Sequence, residues 1–386
     1  MRIGMRRISS LEDLENLLRR TEQIKLYGAG LRLASFMELV EEQKLPFHAS
    51  CILVSSAKGN PSTAFEIPIV EIAGAELCEA DCILLTISDC FVEDVKRTLE
   101  DYGVVDQVYQ LDYSIIDRIP YHKVYKEIEP YLKKYPHDVS NRNVPGKEED
   151  IYVWSCWWQG EENAPELVQV CLKSQRENLP TQAKHIVVTW ENVRDYIEMP
   201  DEIMEMARCG DLCMAHLADI TRCCLLYRYG GIWLDATVYM TGKLPEEYFN
   251  YSLFTRTTGE GIYCTGVSWV TWFLGARKGE ELFRFLMEMF FAYFRSHRKA
   301  IHYYMIDFLI AIACRSLPGV EEKFRRIPMN NLHGTELQKH LSEEYDPEAY
   351  QRYTEGGFLQ KLTYKGSNYQ ENSIYTRLIH QEGKEK

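Results

Sequence analysis

The sequence predicts an α/β protein in two parts, a small doubly wound module followed by a larger α/β domain. Three observations carry this expectation. Short apolar strands alternate with helical periods up to about Asp112. A polar, proline-bearing stretch then breaks the pattern over residues 113–150, and a second β-α-β run opens at Ile151. With 386 residues, 46% of them hydrophobic, the chain is long enough to bury two cores. The expected division is therefore 1–112, 113–150 and 151–386.

The elements follow in order. IKLYGAGLRLASFMELV, from Ile24, reads as a strand, a turn through Gly28 and Gly30, and a helix. CILVSS, IPIVEI and DCILLTIS read as further strands, and FVEDVKRTLEDYG as a helix, giving a Rossmann-like module. Its G-x-G lacks the third glycine of a dinucleotide site, since Leu33 or Ala34 stands there, and CILVSS ends in serines where a ribose-binding acid would stand. Both absences argue against NAD. Two roles remain open for the glycine turn: amides that hold a phosphate at the helix start, or a tight turn packed on its sheet. The middle stretch carries Pro120, Pro130, Pro136, Pro145 and Gly146 and ends in KEED, which predicts a linker with a helix near Lys123 to Lys134. The last part opens with a buried strand in YVWSCWWQG, a helix from Ala164 to Asn178, and the strand HIVVTW.

Charge and composition exclude several classes. The net charge of -13 disfavours nucleic acid, whose backbone requires clustered Lys and Arg. The three arginines of Met1–Ser10 precede no apolar h-region, and no run reaches the roughly 20 apolar residues of a membrane span, so a cytoplasmic, non-spanning protein is expected. The 12 cysteines are scattered through apolar runs, the usage of reduced thiols. Cys209, Cys213 and His216 could share a helical face as metal ligands, but no fourth ligand stands at zinc-like spacing. The 25 tyrosines and 7 tryptophans supply rings either for stacking on sugars and bases or for a Tyr-rich core.

The chemistry gathers in LCMAHLADITRCCLLYRYGGIWLDATV. Leu212, Cys213, Leu217, Ile220, Cys224, Leu225 and Tyr227 predict a wide apolar face on a largely buried helix. His216, Asp219 and Arg222 run through it at i, i+3 and i+6. Charges in so apolar a helix are either paired with each other or functional, because an unpaired buried charge costs several kcal/mol. Gly230-Gly231 supplies a left-handed helix end, Ile232 to Leu234 a short strand, and Asp235 then emerges at the strand's carboxyl edge, where open α/β sheets bind ligands.

HLADITRCCLLYRYGGIWLDATV, together with YVWSCWWQGEENAPELVQVCLKSQRENLP and the later W-E-N-x-x-x-Y-I-x-x-P-D, resembles the DXD-type glycosyltransferases of family 32, specifically bacterial capsular polysaccharide synthesis proteins. The likeness covers roughly residues 151–315. It implies a GT-A-like domain that binds a nucleoside diphosphate sugar, UDP-sugars first, and transfers a hexose with retention to a capsular or cell-surface glycan. The acceptor implied is an oligosaccharide or lipid-linked glycan, met at the inner face of the membrane. By position, Cys156, Trp157 and Trp158 fall where the family holds the nucleotide base, and Trp190 and Gly231 join them on the donor side. Asp219 and Arg222 match the residues that contact the donor sugar and phosphates, and Asp235 matches the first DXD acid. Thr237 replaces the second, so the resemblance implies a weakly held Mn²⁺ or Mg²⁺ at Asp235 and Thr237.

Further along, SWVTWFLGARKGEELFRFL is similar to the family's next strand and helix. Trp269 and Trp272 either stack on acceptor sugar or belong to the core, and Tyr304 is a further acceptor-side candidate. Asp307 is either a catalytic or acceptor-side carboxylate or a buried hydrogen-bonding group. Lys365, in KLTYKG, is the candidate to reach the diphosphate. The missing DXD acid motivates a second reading, a non-catalytic nucleotide-sugar-binding or assembly protein.

Overall fold

The computed structural model describes residues 5–78, 81–87, 91–104, 107–136, 151–258, 267–365 and 369–380. Two compact units divide at Lys123/Val124.

The strands of the first unit are β1 (Arg6–Ile8), β2 (Ile24–Tyr27), β3 (Ala49–Val54), β4 (Thr63–Ala64), β5 (Ile67–Glu71), β6 (Ile83–Leu85) and β7 (Val108–Leu111). They form one seven-stranded sheet in the order β1-β7-β6-β2-β3-β5-β4. All pairings are parallel except β4 with β5. Helices α1 (Leu11–Arg20), α2 (Leu31–Gln43) and α3 (Val92–Asp101) fall between strands. Alternation along the strands feeds two cores. Leu26, Ile52 and Leu84 pack in one, and their chain neighbours Tyr27, Leu53, Ile83 and Leu85 in the other. The sequence pattern does not disclose α1, although Ser10 caps it by accepting from the Asp13 amide at 3.1 Å.

The glycine turn has the tight-packing role. Gly28 sits at φ 110°, and a Cβ there would lie 2.4 Å from Ile87. Its carbonyl accepts from the Thr86 hydroxyl at 2.9 Å. Gly30, at the start of α2, faces open space.

Within the expected linker, residues 113–136 form helices α4 (Tyr113–Ile116) and α5 (Arg118–Leu132), the second overlapping the helix expected near Lys123 to Lys134. Pro145, Gly146 and KEED lie outside the described residues.

The second unit is built on strands β8 (Ile151–Cys156), β9 (Ala183–Val188), β10 (Gly231–Leu234), β12 (Leu253–Thr255) and β13 (Phe273–Ala276). These make a five-stranded sheet in the order β12-β13-β10-β8-β9. β8, β9 and β10 are parallel, while β13 runs antiparallel to both its neighbours. α6 (Glu166–Asn178) links β8 to β9, and α7 (Val193–Tyr196), α8 (Asp201–Arg208) and α9 (Met214–Tyr229) lead to β10. A separate two-stranded ribbon pairs β11 (Val238–Met240) with β14 (Leu359–Lys361), Val238 opposite Lys361. Helices α10 (Glu281–Phe294), α11 (Met305–Ser316), α12 (Val320–Arg325), α13 (Pro347–Thr354) and α14 (Ile374–His380) complete it. The molecule is thus α/β throughout, a Rossmann-like unit followed by a GT-A-like one. Among the described residues no helix is long and apolar enough to cross a membrane.

Candidate functional site

α9 is buried on nearly every side, with Leu217, Ile220, Cys223, Leu225 and Leu226 inaccessible. It ends at Gly230 and Gly231, both at positive φ (70° and 92°), so the helix ends by a reversal into β10. A Cβ on Gly231 would stand 2.2 Å from the Tyr152 carbonyl oxygen, and its absence lets β10 lie close along β8. Asp235 follows at the carboxyl end of β10, as the sequence pattern predicts.

The turn after it is held from three sides. The Asp235 amide donates to the Trp272 carbonyl at 3.0 Å, and its own carbonyl accepts from the Val238 amide at 2.9 Å. The buried Gln175 amide donates to the carbonyls of Asp235 (3.0 Å) and Val238 (2.8 Å) while its oxygen accepts from the Ser155 hydroxyl at 2.8 Å. Leu362 donates its amide to the Thr237 carbonyl at 2.9 Å, which fastens the ribbon to the same turn.

Charges meet at this point. Asp235 Oδ2 accepts from Lys361 Nζ at 2.6 Å, and the Thr237 hydroxyl lies 2.7 Å from the same nitrogen. Asp235 Oδ1 accepts from the Trp233 indole at 2.8 Å and from Arg222 Nη2 at 3.3 Å. Arg222 also pairs with Asp219 at 3.2 Å, donates to the Thr271 carbonyl at 2.6 Å, and lies over the Trp233 ring. Asp219 and Arg222 thus form the internal ion pair that the spacing allowed, and Arg222 spans from it to Asp235. Burial pushes the Asp235 carboxyl up, but Lys361 and Arg222 together outweigh it and hold its pKa at about 2. For Asp219 burial wins over Arg222, with Asp307 and Asp235 adding repulsion, and the pKa rises to about 7. At neutral pH Asp235 is an anion, and Asp219 takes up a proton far more readily than an ordinary carboxylate.

These groups open onto a cleft of about 680 Å³. Cys156, Trp157, Trp158, Arg222, Asp235, Thr237 and Lys365 of the sequence candidates line it. Burial raises the Cys156 thiol's pKa, keeping it a neutral group. Trp158 is fixed by its indole donating to the Met214 carbonyl at 3.2 Å, and the Trp157 and Tyr364 rings meet edge to face at 5.5 Å. Asp219 is buried behind Arg222 rather than lining the cleft, and Gly231 acts through the backbone packing described above. Trp190 stands outside the lining and packs its ring on Trp158 at 4.9 Å.

Several expectations are corrected. Trp269 is fully buried and its indole donates to Asp307 Oδ1 at 2.9 Å, so it is a core residue and not a sugar platform. Asp307, itself buried, takes the hydrogen-bonding role. Trp272 contributes its carbonyl to Asp235 and its ring lies near Arg256, and it is not among the residues that line the cleft. Tyr304 stands at the N-cap of α11, and its neighbour Tyr303, 49% exposed, lines the cleft in its place. Cys209 and Cys213 end one helix and begin the next, and both His216 ring nitrogens are engaged, with Cys213 Sγ and the Tyr303 carbonyl, each at 3.1 Å. No three-ligand metal arrangement forms there.

Lys361, Gln175, Tyr303 and Tyr364 join the site without having stood out in the sequence. The only signal for Lys361 was its place in KLTYKG, where Lys365 was preferred.

The expected metal ligands do not fit a divalent cation as they stand. An ammonium bridges Asp235 and Thr237, the other Asp235 oxygen is engaged by Trp233 and Arg222, and among the described residues no three His, Cys, Asp or Glu side chains gather to hold an ion.

Residues 111–378 match the family of capsular polysaccharide synthesis proteins. The chain belongs to that family. A comparison with curated proteins finds no match. In this capsular polysaccharide synthesis protein the matched span starts at Leu111 in β7, so it takes in α4 and α5 as well as every residue that lines the cleft. Involvement in polysaccharide synthesis follows from the family.

Proposed function

We propose that this protein is a glycosyltransferase that moves a hexose from a nucleoside diphosphate sugar, a UDP-sugar first among candidates, to a capsular or cell-surface glycan. The observation that carries this reading is the charge and shape of the cleft. Arg222, Lys361 and Lys365 supply three cations against the single carboxylate of Asp235, beside Trp157, Trp158 and Tyr364. Cations beside aromatic rings suit a diphosphate joined to a base. When the C1–O bond breaks, its electron pair goes to the diphosphate, and fixed cations that meet this charge lower the barrier. The sugar becomes oxocarbenium-like, which a nearby carboxylate such as Asp235 favours. An acceptor hydroxyl oxygen bonds to C1 on the face the diphosphate leaves, as retention requires, and its proton passes to the departing diphosphate oxygen. The engagement of both Asp235 oxygens by Lys361, Trp233 and Arg222 favours one alternative, a binding protein without turnover.

The test is transfer itself. A panel of nucleoside diphosphate sugars is offered with a capsular oligosaccharide acceptor, and the product's anomeric configuration is read by NMR. A product that keeps the donor's configuration supports a retaining transferase. Inversion would refute retention, and donor binding without product under every acceptor would favour the binding protein.

A further inference from the structure

Asp235 and Thr237 offer a carboxylate and a hydroxyl oxygen to one positive centre, and that centre belongs to the chain. Lys361 Nζ lies 2.6 Å from Asp235 Oδ2 and 2.7 Å from Thr237 Oγ1. We propose that the Lys361 ammonium serves where a divalent cation would otherwise bridge protein and donor, so that this protein binds its nucleoside diphosphate without a metal ion. This rests on the reading of the cleft as a nucleotide-sugar site.

The placement is built, not incidental. Lys361 ends β14, whose pairing sets it opposite Val238 and beside Thr237. Its own amide donates to the Gly334 carbonyl at 2.7 Å, and the next amide, of Leu362, holds the Thr237 carbonyl. The side chain is 23% exposed and lines the cleft. An ammonium carries three N–H donors, of which two serve Asp235 and Thr237, leaving one for a phosphate oxygen. Arg222 stands on the other oxygen of the same carboxylate, so a second cation is in place without added metal. A divalent ion entering here would meet two positive groups at short range, and that repulsion in a part-buried site is strong. Thr237 in place of the second acid fits the same arrangement. One carboxylate and a hydroxyl match a single charge, whereas the usual pair of acids matches two.

Titration calorimetry on the full chain tests this, with UDP, GDP, dTDP and UMP as probes, in EDTA and again in Mn²⁺. The variants are Lys361→Met and Lys361→Arg. One diphosphate is expected to bind in EDTA within about twofold of its affinity in Mn²⁺. Lys361→Met should lower that affinity about 10- to 100-fold, as loss of a charged hydrogen bond does, and should narrow the preference for diphosphate over monophosphate. Lys361→Arg, which keeps the charge, should retain most of it. Loss of folding would lower mono- and diphosphate binding alike, and the wild-type comparison does not depend on any variant. Binding that appears only with Mn²⁺, or an unchanged Lys361→Met, would overturn the proposal while leaving the nucleotide-sugar reading standing. If no diphosphate binds in either buffer, that reading falls too.

Discussion

Gln175→Met is the perturbation that tests most sharply how the Asp235 turn is supported. The substitution keeps the side-chain volume and removes three buried hydrogen bonds: to the Asp235 carbonyl, to the Val238 carbonyl and from the Ser155 hydroxyl. Each is worth about 1 kcal/mol net. The Asp235 carbonyl retains the Val238 amide and Ser155 retains His185, but the Val238 carbonyl loses a buried donor, adding about 1–3 kcal/mol. The sum is about 4–6 kcal/mol, and at about 2–4 °C per kcal/mol for a unit of this size the melting temperature should fall by roughly 8–24 °C. All 7 tryptophans lie between residues 154 and 272, so tryptophan fluorescence excited at long wavelength reports the second unit alone. Affinity for the nucleoside diphosphate should fall with it, because the same amide sets the backbone of Asp235. A melting temperature within about 2 °C of wild type would refute the idea that Gln175 bears the turn.

Gly231→Ala should destabilise by more than about 2 kcal/mol, since positive φ and a Cβ at 2.2 Å from a backbone oxygen add, whereas Gly30→Ala, into open space, should be near neutral; urea unfolding compares them. Trp269→Phe should cost about 2–3 kcal/mol by removing the indole's hydrogen bond to the buried Asp307 carboxyl, while Tyr303→Ala should leave the fluorescence melt nearly unmoved and weaken ligand binding. For pH, Asp219 has a folded pKa of about 7 against an ordinary 3.8. The folded chain therefore holds a proton the unfolded chain has released, so this group's contribution is full below its ordinary value and is lost as pH rises through about 7. Asp235 behaves oppositely: its contribution is present above 3.8 and lost as pH falls toward about 2. Urea unfolding between about pH 5 and about pH 8 should show stability falling with pH, and Asp219→Asn should flatten that slope.

What the sequence disclosed was whatever one segment could encode. The run from Leu212 to Asp235 carries its own helical period, its glycine stop and its strand, and so that one segment suffices to place Arg222, Asp219 and Asp235 together. The alternation of strands and helices likewise carried the first sheet. Lys361 is different: it meets Asp235 across 126 residues through a ribbon of three-residue strands, too short to leave a period. Gln175 has the same character, a polar side chain inside an apolar helix whose partners sit on other elements. Trp269 and Trp272 misled because an exposed aromatic and a core aromatic read identically in one dimension. The choice of Tyr304 over Tyr303 turned on where α11 begins, and helix starts are set by caps that depend on tertiary contacts.

The most direct measurement is release of nucleoside diphosphate from UDP-, GDP- and dTDP-sugars by the wild-type chain and by Asp235→Asn. Slow turnover of one donor, lost in the variant, is the expected result and would tie the chemistry to the carboxylate at the end of β10. No turnover of any donor, or turnover indifferent to Asp235→Asn, would contradict the assignment of this cleft as a glycosyltransferase site.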